Sequence, residues 1–260
     1  MKIGIIGTGN IATYLLEEIS RNTGFEGEIV ALFGRNQEVG NQLSEKFGVD
    51  FYTDLHSFLN TDIDIVVEAA TVEAASVYVK DVVEDKKNLV ISSIGVFKAI
   101  RFYDELKGLA ESNDVTIYLP SGAIGGLDLL QSANAVNGLE RVKITTRKSP
   151  ASLGLNENHK EEVLFDGSAR EAIERFPKNV NVALVLAIAG VGVEETKVCV
   201  IVDPSVTQNI HTIEAEGDFG KMHLQVENNP MPNNPKTSLL AALSILSTLQ
   251  NKDRAVKIGS

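Results

Sequence analysis

With 260 residues, 43% of them hydrophobic and 23% charged, the chain is long enough for one large or two modest globular domains with ample core. Its formal net charge of −11 argues against nucleic acid or an anionic membrane as a main partner. No run approaches the roughly 18 apolar residues that span a bilayer, and the chain opens on a strand pattern instead of a secretory signal, so a cytoplasmic protein is expected.

The first predicted strand, Lys2-Ile3-Gly4-Ile5-Ile6, runs directly into Gly7-Thr8-Gly9-Asn10-Ile11-Ala12. That is the G-x-G-x-x-A turn of a dinucleotide-binding unit. Gly7 permits the tight turn, Gly9 lets a pyrophosphate approach the backbone, and Ala12 allows close packing of helix on strand. A helix from about Asn10 to Ser20 then offers free N–H groups to the phosphates. Further strands are predicted at Glu28–Phe33, Asp64–Glu68, Asn88–Ser92 and Val115–Leu119, with helices near 36–47, 73–84 and 98–111. Such alternation gives a doubly wound parallel sheet, an α/β Rossmann domain over residues 1–122.

After residue 122 the rhythm changes. Strand-like runs at 140–147, 161–166, 195–203, 208–216 and 221–227 predict an α+β second domain over 123–234. Helices are expected at 180–190 and at 235–250, the latter with Pro235 in its first turn. Residues 235–260 form a third segment, able to pack back on the first domain. The intervening Asn228–Pro235 reads as a surface loop.

No carboxylate ends the second strand, which reads Leu32-Phe33-Gly34-Arg35. Arg35 suits a 2′-phosphate, so NADP, or both cofactors, is expected over strict NAD. Gly7, Gly9, Asn10, Ile11 and Arg35 are thus the candidate cofactor contacts of the first domain. Cys199, the only cysteine, lies in an apolar run and reads as core. No cluster of residues has metal-ligand spacing.

Four later blocks carry chemistry. Glycines in Pro120-Ser121-Gly122-Ala123-Ile124-Gly125-Gly126 allow close backbone approach to a ligand, or serve as a hinge. In Phe176-Pro177-Lys178-Asn179-Val180-Asn181, Asn179 suits a helix N-cap and Asn181 a polar ligand contact. His211 in Asn209-Ile210-His211 shares a strand face with Asn209 and Ile213. In isolation such a histidine is more often structural, but oxidation of an amine or alcohol needs a group that titrates near neutrality. Lys236, Thr237 and Ser238, read as a helix start, form a candidate carboxylate site.

Together these blocks resemble the L-aspartate dehydrogenase family, nearly end to end. The opening turn is common to many dehydrogenases, whereas the blocks around Ala123, Asn181 and His211 are specific in order and spacing. Ser149-Pro150-Ala151 departs from the family's Pro-Pro form, which touches only local loop shape. The resemblance implies a homodimer that dehydrogenates L-aspartate to iminoaspartate with NAD or NADP, feeding NAD biosynthesis. It implies a catalytic role for His211 and cofactor contacts for Ala123 and Asn181. Asn179, Lys236, Thr237 and Ser238 would then serve the substrate. The rival readings are a homoserine-dehydrogenase-like or dihydrodipicolinate-reductase-like oxidoreductase, and a nicotinamide-nucleotide sensor without turnover.

Overall fold

Uninterrupted runs of β-branched residues become parallel strands buried on both faces, because helices cover the two sides of the sheet that they form. In the computed structural model, which describes residues 1–22, 24–156, 160–176, 181–232, 234–256 and 258 (side chains of Pro235 and Lys236 excepted), this holds for the amino-terminal half. Six strands, β1 (Lys2–Ile6), β2 (Glu28–Phe33), β3 (Asp50–Tyr52), β4 (Ile65–Glu68), β5 (Asn88–Ile91) and β6 (Ile117–Tyr118), pair in the order β3-β2-β1-β4-β5-β6. All five pairings are parallel. Helices α1 (Asn10–Arg21), α2 (Gln37–Phe47), α3 (Leu55–Leu59), α4 (Val72–Glu84) and α5 (Ile100–Asn113) connect them. The doubly wound sheet is the one expected, with one strand more than the sequence pattern gave. β3 has three residues, is half exposed, and takes its place by pairing with Ala31–Phe33 at the sheet edge.

Local signals set the helix ends. Asn36, Asp54 and Thr71 each accept a backbone N–H in the first turn of α2, α3 and α4, and Gly48 closes α2 in the left-handed region with φ +69°. α1 differs: its N-cap is Gly9, which has no side chain to occupy the free N–H groups.

The second half contains a five-stranded mixed sheet. β7 (Leu139–Lys148), β8 (Glu162–Ser168), β9 (Lys197–Val202), β10 (Asn209–Gly217) and β11 (Gly220–Asn228) pair in the order β11-β10-β7-β9-β8. Only β7 and β9 run parallel. α6 (Leu127–Asn134), α7 (Pro150–Leu153), α8 (Ala169–Arg175), α9 (Asn181–Ala189) and α10 (Gly192–Glu195) complete this α+β part. It is richer in helix than the sequence pattern suggests; α6 touches β7 and α9, and α8 touches β8, β9 and α9.

Two further differences concern the chain before the last helix. Pro230–Met231 (β12) pairs with Asn234–Ser238 (β13), so the presumed surface loop is a small hairpin with Met231 buried. The helix expected at 235–250 is therefore α11 (Leu239–Lys252), and Pro235 lies in a strand of a two-stranded ribbon, an edge position that tolerates its missing N–H. Lys236, Thr237 and Ser238 consequently precede the helix on β13 and do not form its first turn.

By contacts the chain divides into two units, Met1–Pro120 with Ile245–Asp253, and Ser121–Ser244 with Arg254–Ser260. Ile245, Leu246 and Leu249 of α11 belong to the core that Ile3, Ile5, Leu15, Leu32 and Val67 build in the first unit. Among the described residues no helix is long and apolar enough to cross a membrane.

Candidate active site

The first unit offers a cradle at the carboxyl end of β1. Gly7 has φ +124°, and a Cβ there would sit 2.5 Å from the carbonyl oxygen of Ala69. Its N–H donates to the carbonyl of Phe33 at 2.8 Å, which ties the turn to β2. Gly9 is the opposite case, since a Cβ there would meet nothing within 4 Å. The space in front of it opens on the uncapped N-terminus of α1, where Asn10 is exposed and Ile11 half-buried. A cleft of about 270 Å³ continues from Gly7 and Gly9 past Arg35, Thr71 and Tyr78. Arg35 is exposed and makes no ion pair or side-chain hydrogen bond among the described residues. A glycine turn that a Cβ would fill, free N–H groups at a helix start and an uncommitted cation together fit a dinucleotide.

Glu68, the last residue of β4, escaped the sequence reading although a carboxylate closing Ile65-Val66-Val67 is an anomaly in itself. It is completely buried. Its Oε1 accepts from Ala70 N–H and the Ser93 hydroxyl, and its Oε2 from Ser93 N–H, each at 2.9 Å. Burial pushes the carboxyl above its ordinary range against the pull of these donors. Glu68 thus locks the chain after β4 to the chain after β5, and Ala70 and Thr71 wall the cleft. Glu68→Leu is expected to leave the buried Ser93 N–H unmatched and to release that of Ala70, lowering stability by about 1–3 kcal/mol in urea unfolding and loosening cofactor binding. Unchanged stability would deny it this locking role.

In the second unit β7 and β10 pair with Val142 opposite Ala215, Ile144 opposite Ile213 and Thr146 opposite His211. Side chains alternate along each strand, so Lys148 and Asn209, one alternation further on, share that face. All eight residues are buried. The face is therefore apolar at one end and polar at the other, with Thr146, Lys148, Asn209 and His211 gathered at the polar end. Thr146 Oγ1 lies 2.9 Å from His211 Nδ1. Desolvation, and secondly the charge of Lys148, pull the imidazole down to about 3, so His211 is neutral around pH 7 and does not titrate near neutrality as the sequence pattern led one to expect. Burial likewise lowers Lys148.

Asn209 donates from Nδ2 to Ser238 Oγ at 3.2 Å, while its Oδ1 is buried without a partner among the described residues. Asn228 at the end of β11 donates to the carbonyl of Ala123 at 2.9 Å and fixes the 121–126 turn. Ala123 is itself buried.

The other sequence-derived candidates are scattered. Asn181 is the exposed first residue of α9, and Thr237 accepts from Asn234 Nδ2 at 2.9 Å. Asn179 and the side chain of Lys236 lie outside the described residues. Cys199 is buried in β9, and burial pushes its thiol up, as befits a core residue. Lys148 and Thr146 went unnoticed in the sequence because Lys143-Ile144-Thr145-Thr146-Arg147-Lys148 sets two threonines and then two cations side by side, without marking which face is inside.

Comparison with known proteins agrees with this arrangement. Residues 128–252 match the family described as aspartate dehydrogenase, C-terminal, and residues 7–120 that described as homoserine dehydrogenase, NAD binding domain. An L-aspartate dehydrogenase of Methanospirillum hungatei is 39% identical over the whole of both chains. One from Nitrosopumilus maritimus is 37% identical over 96% of this chain and 95% of its own. The crystal structure of aspartate dehydrogenase from Thermotoga maritima superposes with a TM-score of 0.82 at 32% identity, covering 100% of this chain and 99% of that one.

Proposed function

Because the chain belongs to the L-aspartate dehydrogenase family, we propose that it oxidises L-aspartate to iminoaspartate with NADP or NAD, through His211. The observation that carries the reading is the buried polar end of the β7–β10 face, where a neutral imidazole sits among groups suited to an amino acid. The two halves also separate the rival oxidoreductases. The homoserine dehydrogenase likeness falls on the cofactor half, whereas the half that holds His211 is of the aspartate dehydrogenase kind.

Aspartate reaches the enzyme with a protonated amine, which must lose a proton before Cα can be oxidised. With Nδ1–H donating to Thr146 Oγ1, the Nε2 lone pair of His211 takes that proton. Bound nicotinamide supplies the acceptor for the hydride that leaves Cα. The amine nitrogen then shares its freed electron pair with Cα, and the resulting iminium hydrolyses to oxaloacetate and ammonium. The chain's own part is to exclude water from this face, hold the amine and move its proton.

For the cofactor, Gly7, Gly9, Asn10 and Ile11 would receive the pyrophosphate and Arg35 the 2′-phosphate. Ala123 and Asn181 are assigned to the same ligand by family likeness. Asn179, Lys236, Thr237 and Ser238 are assigned to the substrate, and the hydroxyl of Ser238, held by Asn209, supports this for Ser238. A cytoplasmic homodimer that supplies NAD biosynthesis completes the proposal.

Purified protein with L-aspartate should generate the near-ultraviolet absorbance of reduced nicotinamide, and homoserine, glutamate and alanine should not. Equal or greater rates with homoserine would overturn the assignment. In the same assay Arg35→Ala should weaken NADP roughly 10–100-fold, the worth of one charge-assisted contact of about 1.5–3 kcal/mol, and leave NAD nearly unaffected. Equal losses for both cofactors would remove Arg35 from the 2′-phosphate.

A further inference from the structure

Lys148 stands apart from the buried carboxylates Glu68 and Asp203, which are both hydrogen-bonded. Only 8% of it is exposed, yet among the described residues it makes no ion pair or side-chain hydrogen bond. The nearby carboxylate is committed elsewhere: Asp203, whose N–H donates to the Lys148 carbonyl, accepts at its side chain from Arg147, Ser205 N–H and the Ser205 hydroxyl. Strand alternation separates the two neighbouring cations. Arg147 points to the face where Glu161 and Asp203 neutralise it, and Lys148 to the face of Thr146, Asn209 and His211, none of which is an anion. The amide of Asn209 adds a second unsatisfied group, with one end on Ser238 and the other without a partner among the described residues.

A buried ammonium without a counter-ion destabilises a fold unless a ligand brings the missing charge. Next to it lie an unmatched amide oxygen, which can accept from an ammonium, and a neutral imidazole, which can take a proton. We propose that Lys148 is the anchor for a carboxylate of the substrate, holding the amino acid so that its amine faces Asn209 and His211. This rests on the dehydrogenase reading for the identity of the anion, and on the β7–β10 face for the existence of the site.

The test uses Lys148→Met and Lys148→Arg in the full chain, with succinate (a dicarboxylate without an amine) as an unreactive probe. Lys148→Met should raise KM for aspartate on the order of 10²-fold, depress kcat much less, and abolish succinate binding measured by calorimetry. Cofactor affinity should stay unchanged and the thermal midpoint of the unliganded protein should stay level or rise, because an unpaired buried charge has gone. Lys148→Arg should recover part of the succinate affinity. Wild-type KM and succinate affinity in Lys148→Met would overturn the proposal. So would failure of that variant to fold, since a structural lysine is the contrary case. If wild-type protein binds succinate through Lys148 yet leaves aspartate unoxidised, the dehydrogenase reading fails and the anion site stands.

Discussion

Alanine in place of His211 is expected to cut turnover of L-aspartate by roughly 10²–10⁴-fold, the usual span for a general acid–base group, with cofactor affinity unchanged. The histidine lies on the same strand face as Asn209 and is 3% exposed, with Thr146 at Nδ1. Its low basicity in the unliganded protein has two causes, burial first and the charge of Lys148 second. A substrate carboxylate on Lys148 cancels the second cause and so raises the affinity of His211 for the proton of the amine. The same residue makes an acid-stability prediction. Its folded-state value, about 3, is below the unfolded value of 6.5, so the unfolded chain binds the proton first. Stability is therefore fully present above pH 6.5 and is lost as pH falls from there toward 3. Between pH 7 and pH 4 this amounts to roughly 3 kcal/mol. Urea unfolding at those two pH values should show that loss in wild type and a correspondingly smaller one in His211→Ala. Equal pH slopes in the two proteins would show that the imidazole is not held neutral by the fold, and retained turnover would end its catalytic assignment.

Valine in place of Gly9 is expected to leave stability within about 0.5 kcal/mol and to weaken cofactor binding by on the order of 10²-fold or more. Gly9 has φ −88° and ψ −168°, extended backbone that valine adopts readily, and a Cβ there meets no protein atom within 4 Å. The added methyls would occupy the space in front of α1, where a pyrophosphate would meet free N–H groups. Gly7 provides the contrast. At φ +124°, with the Ala69 carbonyl oxygen 2.5 Å from any Cβ, Gly7→Val should lower stability by several kcal/mol, ligand or no ligand. Denaturant unfolding and cofactor titration of both variants check the pair. A Gly9→Val protein that binds cofactor like wild type would mean that this turn carries no dinucleotide.

The amino-terminal sheet was legible because strands buried on both faces, such as Ile65-Val66-Val67, have nothing to alternate with. The edge strand Asp50–Tyr52 was not, because three half-exposed residues carry no period and depend on β2 for their conformation. In the second half the alternation of Asn209, His211, Ile213 and Ala215 made β10 and its histidine readable. α8 is only seven residues long, too short for a periodic face, although its capping box of Ser168 and Glu171 is a local signal. The segment Asn234–Ser238 misled because proline before an apolar run suits a helix start, whereas pairing with Pro230–Met231 draws it into a strand. Lys148 shows the deeper limit. Arg147 and Lys148 are adjacent cations, and only the register that sets Thr146 opposite His211 decides which one faces the site.

Oxidation at Cα of L-aspartate is tested with substrate carrying deuterium there, by mass analysis of the reduced cofactor after one round of turnover. The deuterium should be transferred from Cα to the nicotinamide, and oxaloacetate and ammonium should accumulate in equal amounts. A reduced cofactor free of deuterium, or no reduction at all by a protein that binds cofactor and aspartate, would contradict this oxidation.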